Sequence, residues 1–215
     1  MLFANDDEII QYLKGIVSLN NGGIVIENID RLKTHGIDTL VENSVLNPSG
    51  QIRGLSRFII KSAALEMGIV LSSIQGLYDA RGRGECSGFT VPAINIRGMS
   101  YDFSRSIFRT AQKLNTGSFI FEIAKSEIGY TFQQPHEIVG VIIGAAIREN
   151  HTGPVFIQGD HFQVSAKNYQ TSKDKELSGL KKLIQKGIEA GFYNIDIDTS
   201  TLVDLSKPTV VEQQR

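Results

Sequence analysis

Only one cysteine, Cys86, occurs in the 215 residues, so no disulfide can form within the chain. That scarcity fits a reducing compartment, and a cytoplasmic setting is the expectation. Tryptophan is absent and proline occurs 5 times, too seldom for an extended Pro-rich chain. A dominant charge is missing as well, since 22 Lys+Arg against 23 Asp+Glu leave a formal net charge of -1. No overall field therefore advertises a nucleic acid or an anionic membrane surface as partner. No apolar run approaches the roughly 18 residues that a membrane-spanning helix needs. The first residues, MLFANDDEII, lack the basic start and apolar stretch of a secretory signal. What remains is an ordinary globular composition for one large domain, or one domain with an appendage.

Two rhythms meet near residue 88. Before it, apolar residues recur at helical spacing, as in Ile9, Ile10, Leu13, Ile16 and Val17, or Ile59, Ile60, Ala63, Ala64 and Met67. Asn5 and Asp6 are suited to cap the first helix. Segment 69–75 reads equally as a short strand or a helix. Residues 1–88 are thus expected to form a helical N-terminal extension.

After the glycine-rich loop RGRGECSG (81–88) the pattern becomes strand, then helix. TVPAINI (90–96), SFIFEIA (118–124), GPVFIQG (153–159) and YNIDID (193–198) read as strands. Helices are expected over about 102–114, 135–149 and 176–191, so the strands should join as parallel βαβ units. The strand starts lie roughly 30–40 residues apart, the period of a (β/α)8 barrel or a doubly wound sheet. No GxGxxG follows the first strand, which weakens a dinucleotide fold. A complete barrel needs about 250 residues. Residues 89–215 are therefore expected to supply the first half of an α/β barrel of TIM type. A half barrel leaves apolar edges, so a homo-oligomer or a second, C-terminal half should complete it.

In such sheets the loops at the carboxyl ends of the strands carry the site. Asp160 and His161 sit there after GPVFIQG, where a carboxylate can move protons and a neutral imidazole can bind zinc. Gly159 should leave room for a ligand against the backbone. Equally, Asp160 could cap the following segment and His161 be an ordinary loop residue. Asp196 and Asp198 lie two apart and share a side of their strand, which is costly unless they are paired, metal-bound or capping the next loop. Asn95 and Glu122 are polar residues inside apolar strands, suited to a polar site or to satisfying backbone groups. Arg81 and Arg83 could clamp a phosphate or simply belong to a solvated linker. His35, His136 and Cys86 carry no visible chemistry.

These stretches together resemble the N-terminal portion of the class II, metal-dependent ketose-bisphosphate aldolases. VPAINI resembles the family's first strand, PVFIQGDHF its P-V-x-L-x-x-D-H segment, and GFYNIDIDTS its G-F-x-x-x-x-I-D-G-S segment. The resemblance covers roughly residues 88–210, with the three motifs in order. It implies a zinc-dependent barrel enzyme that cleaves fructose or tagatose bisphosphate to dihydroxyacetone phosphate and a triose phosphate. By the same resemblance Asp160 is the proton donor, His161 a zinc ligand and Asp198 a carboxylate near the metal. Asn95 would hold the dihydroxyacetone moiety. The family's phosphate-binding serine after the second strand is replaced by Ala124, with Ser126 two residues on. The remaining metal histidines would lie on strands beyond residue 215. FEIAKSEIGYT also resembles the non-catalytic barrel partners of tagatose-bisphosphate aldolases, which leaves a partner subunit as the alternative.

Overall fold

The chain folds, in a computed structural model that describes residues 1–20 and 22–214, around one buried helix and one parallel sheet. Helix α1 (Asp6–Tyr12) starts as its cap residue dictates, with the Asn5 side chain accepting the Glu8 N–H at 3.0 Å. Strands β1 (Val17–Asn20) and β2 (Gly23–Ile26) pair antiparallel. A short helix α2 (Ile29–Arg31) runs through a widened turn at Leu32–Gly36 into α3 (Ile37–Leu46). Next come α4 (Gly50–Glu66), β3 (Ile69–Ser72) and α5 (Gln75–Gly82).

The first 88 residues are therefore not helical alone. They hold a hairpin, and segment 69–75 resolves into β3 at its start. The hairpin escapes a helical reading because its alternation is short: Val17 and Ile24 are buried while Leu19 and Val25 are exposed.

The remainder alternates as expected: β4 (Ala93–Asn95), α6 (Ser100–Lys113), β5 (Ile120–Ala124), α7 (Lys125–Thr131), α8 (Pro135–Arg148), β6 (Gly153–Asp160), α9 (Ala166–Ala190), β7 (Asn194–Ile195) and α10 (Val210–Gln213). Strands β4 and β7 are shorter than their apolar runs. Helix α9 starts ten residues before the amphipathic segment and breaks its helical geometry at Ser172.

The result is a mixed α/β fold with a five-stranded parallel sheet in the order β3-β6-β5-β4, β7 also pairing with β6. Strands β3 and β7 share one edge of β6, taking residues 153–156 and 158–159 in turn. Asn194 joins them by accepting hydrogen bonds from the Ser73 hydroxyl and the Ile74 N–H, both at 3.0 Å. The sheet does not close on itself among the described residues.

Register decides which residues share a face. Asn95 stands beside Glu122, Glu122 beside Gln158, and Gln158 beside Asn194. All four are half-buried, whereas their strand neighbours Phe121, Ile123, Val155 and Ile157 are buried. A parallel sheet covered on both faces reads as continuous apolar runs. This one alternates, so one face is packed and the other is polar.

Helix α8 explains the packed side. Ile138, Val139, Ile142, Ile143, Ala146 and Ile147 are all buried, and the helix packs against α3, α4, α6 and α9. A helix apolar all round belongs in a core. Gly144 permits the approach of α3: a Cβ there would lie 2.3 Å from Val41 Cγ2. Alanine would gain about 1 kcal/mol of helix propensity, but overpacking a stiff β-branched neighbour typically costs about 1–3 kcal/mol. Gly144→Ala should therefore lower the urea midpoint. An unchanged or raised midpoint would show that α3 and α8 can separate freely.

A pH effect arises at the other end of the core. The His151 ring lies 4.9 Å, centroid to centroid, from Phe108, and its Nε2 donates to the Pro154 carbonyl at 3.2 Å. Burial depresses its pKa below the ordinary 6.5, the Pro154 hydrogen bond opposing part of that shift. A depressed folded pKa gives stability that is present above the unfolded value and lost as pH falls through the folded one. His151→Gln should thus show a smaller drop in Tm than the parent between pH 7 and pH 5, and an equal drop would contradict the assignment.

Candidate metal and proton-transfer site

The polar face gathers its charged groups at the carboxyl ends of β4, β5, β6 and β7. Strand β6 ends at Asp160, and His161 then takes a left-handed backbone conformation at φ 46. Positive φ is uncommon for a residue with a side chain. Phe162 follows and is fully buried. A Cβ on Gly159 would lie 2.6 Å from the Phe162 ring. Gly159 is therefore filled against by Phe162, not left open for a ligand as its sequence position suggested.

Backbone pairing continues past β7 and fixes Asp196 next to this turn. The Asp196 N–H donates to the Gly159 carbonyl at 2.8 Å, and the Phe162 N–H donates to the Asp196 carbonyl at 2.9 Å. The His161 N–H donates to Asp196 Oδ2 at 3.2 Å. His161 Nδ1 lies 3.3 Å from Asp160 Oδ1. One ligand atom from each of Asp160, His161 and Asp196 falls within 4.8 Å of the others. One imidazole nitrogen and two carboxylate oxygens suit zinc or another divalent ion. Each carboxylate also keeps a free oxygen, since Asp196 commits Oδ2 to a backbone N–H and Asp160 commits Oδ2 to Asn95.

Asn95 joins two carboxylates. Its Nδ2 donates to Asp160 Oδ2 at 2.9 Å and to Glu127 Oε2 at 3.0 Å. Glu127 is buried, on the first turn of α7, where it accepts the Ala124 N–H at 2.9 Å and pairs with Arg97. Burial alone would raise the Glu127 pKa. The hydrogen bonds from Ala124, Asn95 and Arg97, with the Arg97 charge, outweigh it and hold the carboxyl below its usual range. Nothing in the apolar pattern singles out Glu127. Its place three residues after the N-cap Ala124, where a Glu reaches back to the helix start, is the available signal.

Glu122 shares the face and accepts a hydrogen bond from Gln158. Burial pushes its pKa up, the Asp160 charge adds to the rise, and Gln158 and His161 oppose it. Lys125 ties the loop after β6 to the helices, donating to the Gln163 carbonyl at 2.8 Å and to Glu176 at 3.1 Å.

Among the residues expected from sequence, Asn95, Asp160 and His161 come together. Asp198 is not one of the three grouped donors, although the His161 charge reaches its carboxylate. Its carboxylate accepts the Ser200 N–H at 2.8 Å, and the Ser200 hydroxyl and N–H lower its pKa. The strand carboxylate that meets His161 is Asp196. Ser126 is exposed on the first turn of α7. Arg81 donates to the Phe89 carbonyl at 2.9 Å and Arg83 pairs with Glu85, so both fit the linker reading. A separate cleft of about 690 Å³ lies between α3, the start of α6 and α8, and Arg97 lines it as well as bonding Glu127.

No family model and no curated protein matches the chain. Among the described residues, no helix is long and apolar enough to cross a membrane.

Proposed function

We propose that the chain is the N-terminal part of a zinc-dependent, class II ketose-bisphosphate aldolase, built on the first four strands of a (β/α)8 barrel. The observation that carries this reading is the meeting of Asp160, His161 and Asp196 at the carboxyl ends of β6 and β7, with Asn95 bonded to Asp160. A proton-transfer group, an imidazole ligand and a substrate-facing amide are what aldol cleavage needs within one small area.

His161 and Asp196 would hold the divalent ion, and Asp160 Oδ1, the oxygen that Asn95 leaves free, would add to the resting site and be released for the proton during cleavage. A divalent ion held there would supply Lewis-acid polarisation of the ketose oxygens. Asp160 takes the proton from the C4 hydroxyl, the C3–C4 bond breaks, and its electron pair remains on the dihydroxyacetone portion. Asn95 has spent both amide hydrogens on Glu127 and Asp160, so its Oδ1 is the atom left to accept from a substrate hydroxyl. Ser126 is the candidate for a phosphate contact. The substrate is a phosphorylated ketose in the cytoplasm, and a C-terminal half barrel or further copies would cover the polar face.

One observation favours the alternative of a non-catalytic barrel partner: β5 ends in Ala124, and Ser126 sits on the helix rather than at the strand end. The deciding experiment is aldol cleavage of fructose and tagatose 1,6-bisphosphate by the full-length protein, before and after chelation and with zinc restored. Chelator-sensitive cleavage supports the enzyme. No cleavage by a zinc-loaded, folded protein would leave the partner reading.

A further inference from the structure

We infer that Glu127 is a positioning residue for the metal site, acting on Asp160 through Asn95. The inference rests on the site proposed above and adds an outer partner to it.

The geometry is a relay of hydrogen bonds with one direction. Asn95 Nδ2 carries two hydrogens, and both go to carboxylate oxygens, Glu127 Oε2 at 3.0 Å and Asp160 Oδ2 at 2.9 Å. An amide rotated by half a turn would set its carbonyl oxygen against two negative charges. Glu127 therefore decides which end of the Asn95 amide faces Asp160. Asn95 in turn decides which Asp160 oxygen is spent, because Oδ2 is held and Oδ1 is the oxygen 3.3 Å from His161 Nδ1.

Glu127 is suited to this task because its carboxylate is held from several sides. Its carboxylate is buried, and the Ala124 N–H at 2.9 Å ties it to the junction of β5 and α7. Arg97 supplies a compensating charge from the end of β4. Here three strands are locked at their carboxyl ends by one anion: β5 through Ala124, β4 through Asn95 and Arg97, and β6 through the amide on Asp160. Outer partners of this kind hold ligating groups in orientation, and their loss typically weakens metal binding about 10–100-fold.

The experiment is calorimetric titration of Zn²⁺ into the full-length protein and its Glu127→Gln, Asn95→Ala and double variants, with thermal melts of each. Glutamine keeps the size of the side chain but replaces one acceptor by a donor. Binding is expected to weaken about tenfold in each single variant, and no further in the double variant, because both changes break one relay. In an Asp160→Asn background, Glu127→Gln should have no additional effect on Zn²⁺ affinity. If Glu127→Gln melts below the titration temperature, Asn95→Ala carries the same comparison without touching the α7 start. Parent-like affinity in folded Glu127→Gln or Asn95→Ala would overturn the inference while sparing the site. A tenfold loss that persists in the Asp160→Asn background would also overturn it. Failure of the unmodified protein to bind Zn²⁺ would overturn the site and the inference together.

Discussion

Substituting His161 by alanine is expected to weaken Zn²⁺ binding at least 100-fold, the largest single loss available in this chain. His161 is the one nitrogen donor of the group that includes Asp160 and Asp196. Two exposed or half-buried carboxylates without it resemble many acidic surface pairs, which hold zinc poorly. The side chain is exposed, so its removal leaves no cavity in the core. The Tm without metal should accordingly stay near that of the parent, while the rise in Tm on adding Zn²⁺ disappears. Calorimetry and melting curves with and without Zn²⁺ provide both readings. Equal stoichiometric binding by parent and variant would remove His161 from the site.

Asp160→Asn tests the chemistry instead of the ion. The substitution keeps shape and an acceptor toward Asn95 but cannot take a proton. In the full-length protein it should lower kcat for ketose-bisphosphate cleavage by about 10²–10⁴, the usual worth of a positioned acid or base. Affinity for Zn²⁺ should fall less than in His161→Ala, because the imidazole and Asp196 remain. If Asp160 served only to order the turn before Phe162, the result would differ. A lost local hydrogen bond costs about 0.5–1.5 kcal/mol of stability, with turnover left intact. Near-normal kcat beside a lowered Tm would therefore defeat the proton-transfer assignment.

Much of this was legible in the chain. The helix starts at Asn5 and Pro135, the switch to strand-then-helix after Gly88, and the long apolar helix 135–148 follow from spacing and cap chemistry. Asp160 and His161 were legible because carboxyl ends of parallel strands carry sites, and Asn95 because an amide inside an apolar strand asks for a partner. The boundaries of β4 and β7 were not, since apolar residues run on beyond the hydrogen-bonded ladder. The N-terminal strands were hidden for a different reason. Four-residue alternations such as Val17–Asn20 fit either period.

Sequence alone determined that residues 89–214 alternate strand and helix, and that two acidic segments lie at strand ends. Local periodicity and turn chemistry suffice for that, because they act within a few residues. Tertiary structure decided the partnerships. It brought β3 from the N-terminal region onto the same edge of β6 as β7, and set Asn95, Glu122 and Gln158 abreast. It also turned Asp196 rather than Asp198 toward His161, and buried Glu127 between Asn95 and Arg97. Those contacts join residues 27 or more positions apart, and only the register of a folded sheet determines which side chains meet across such a distance.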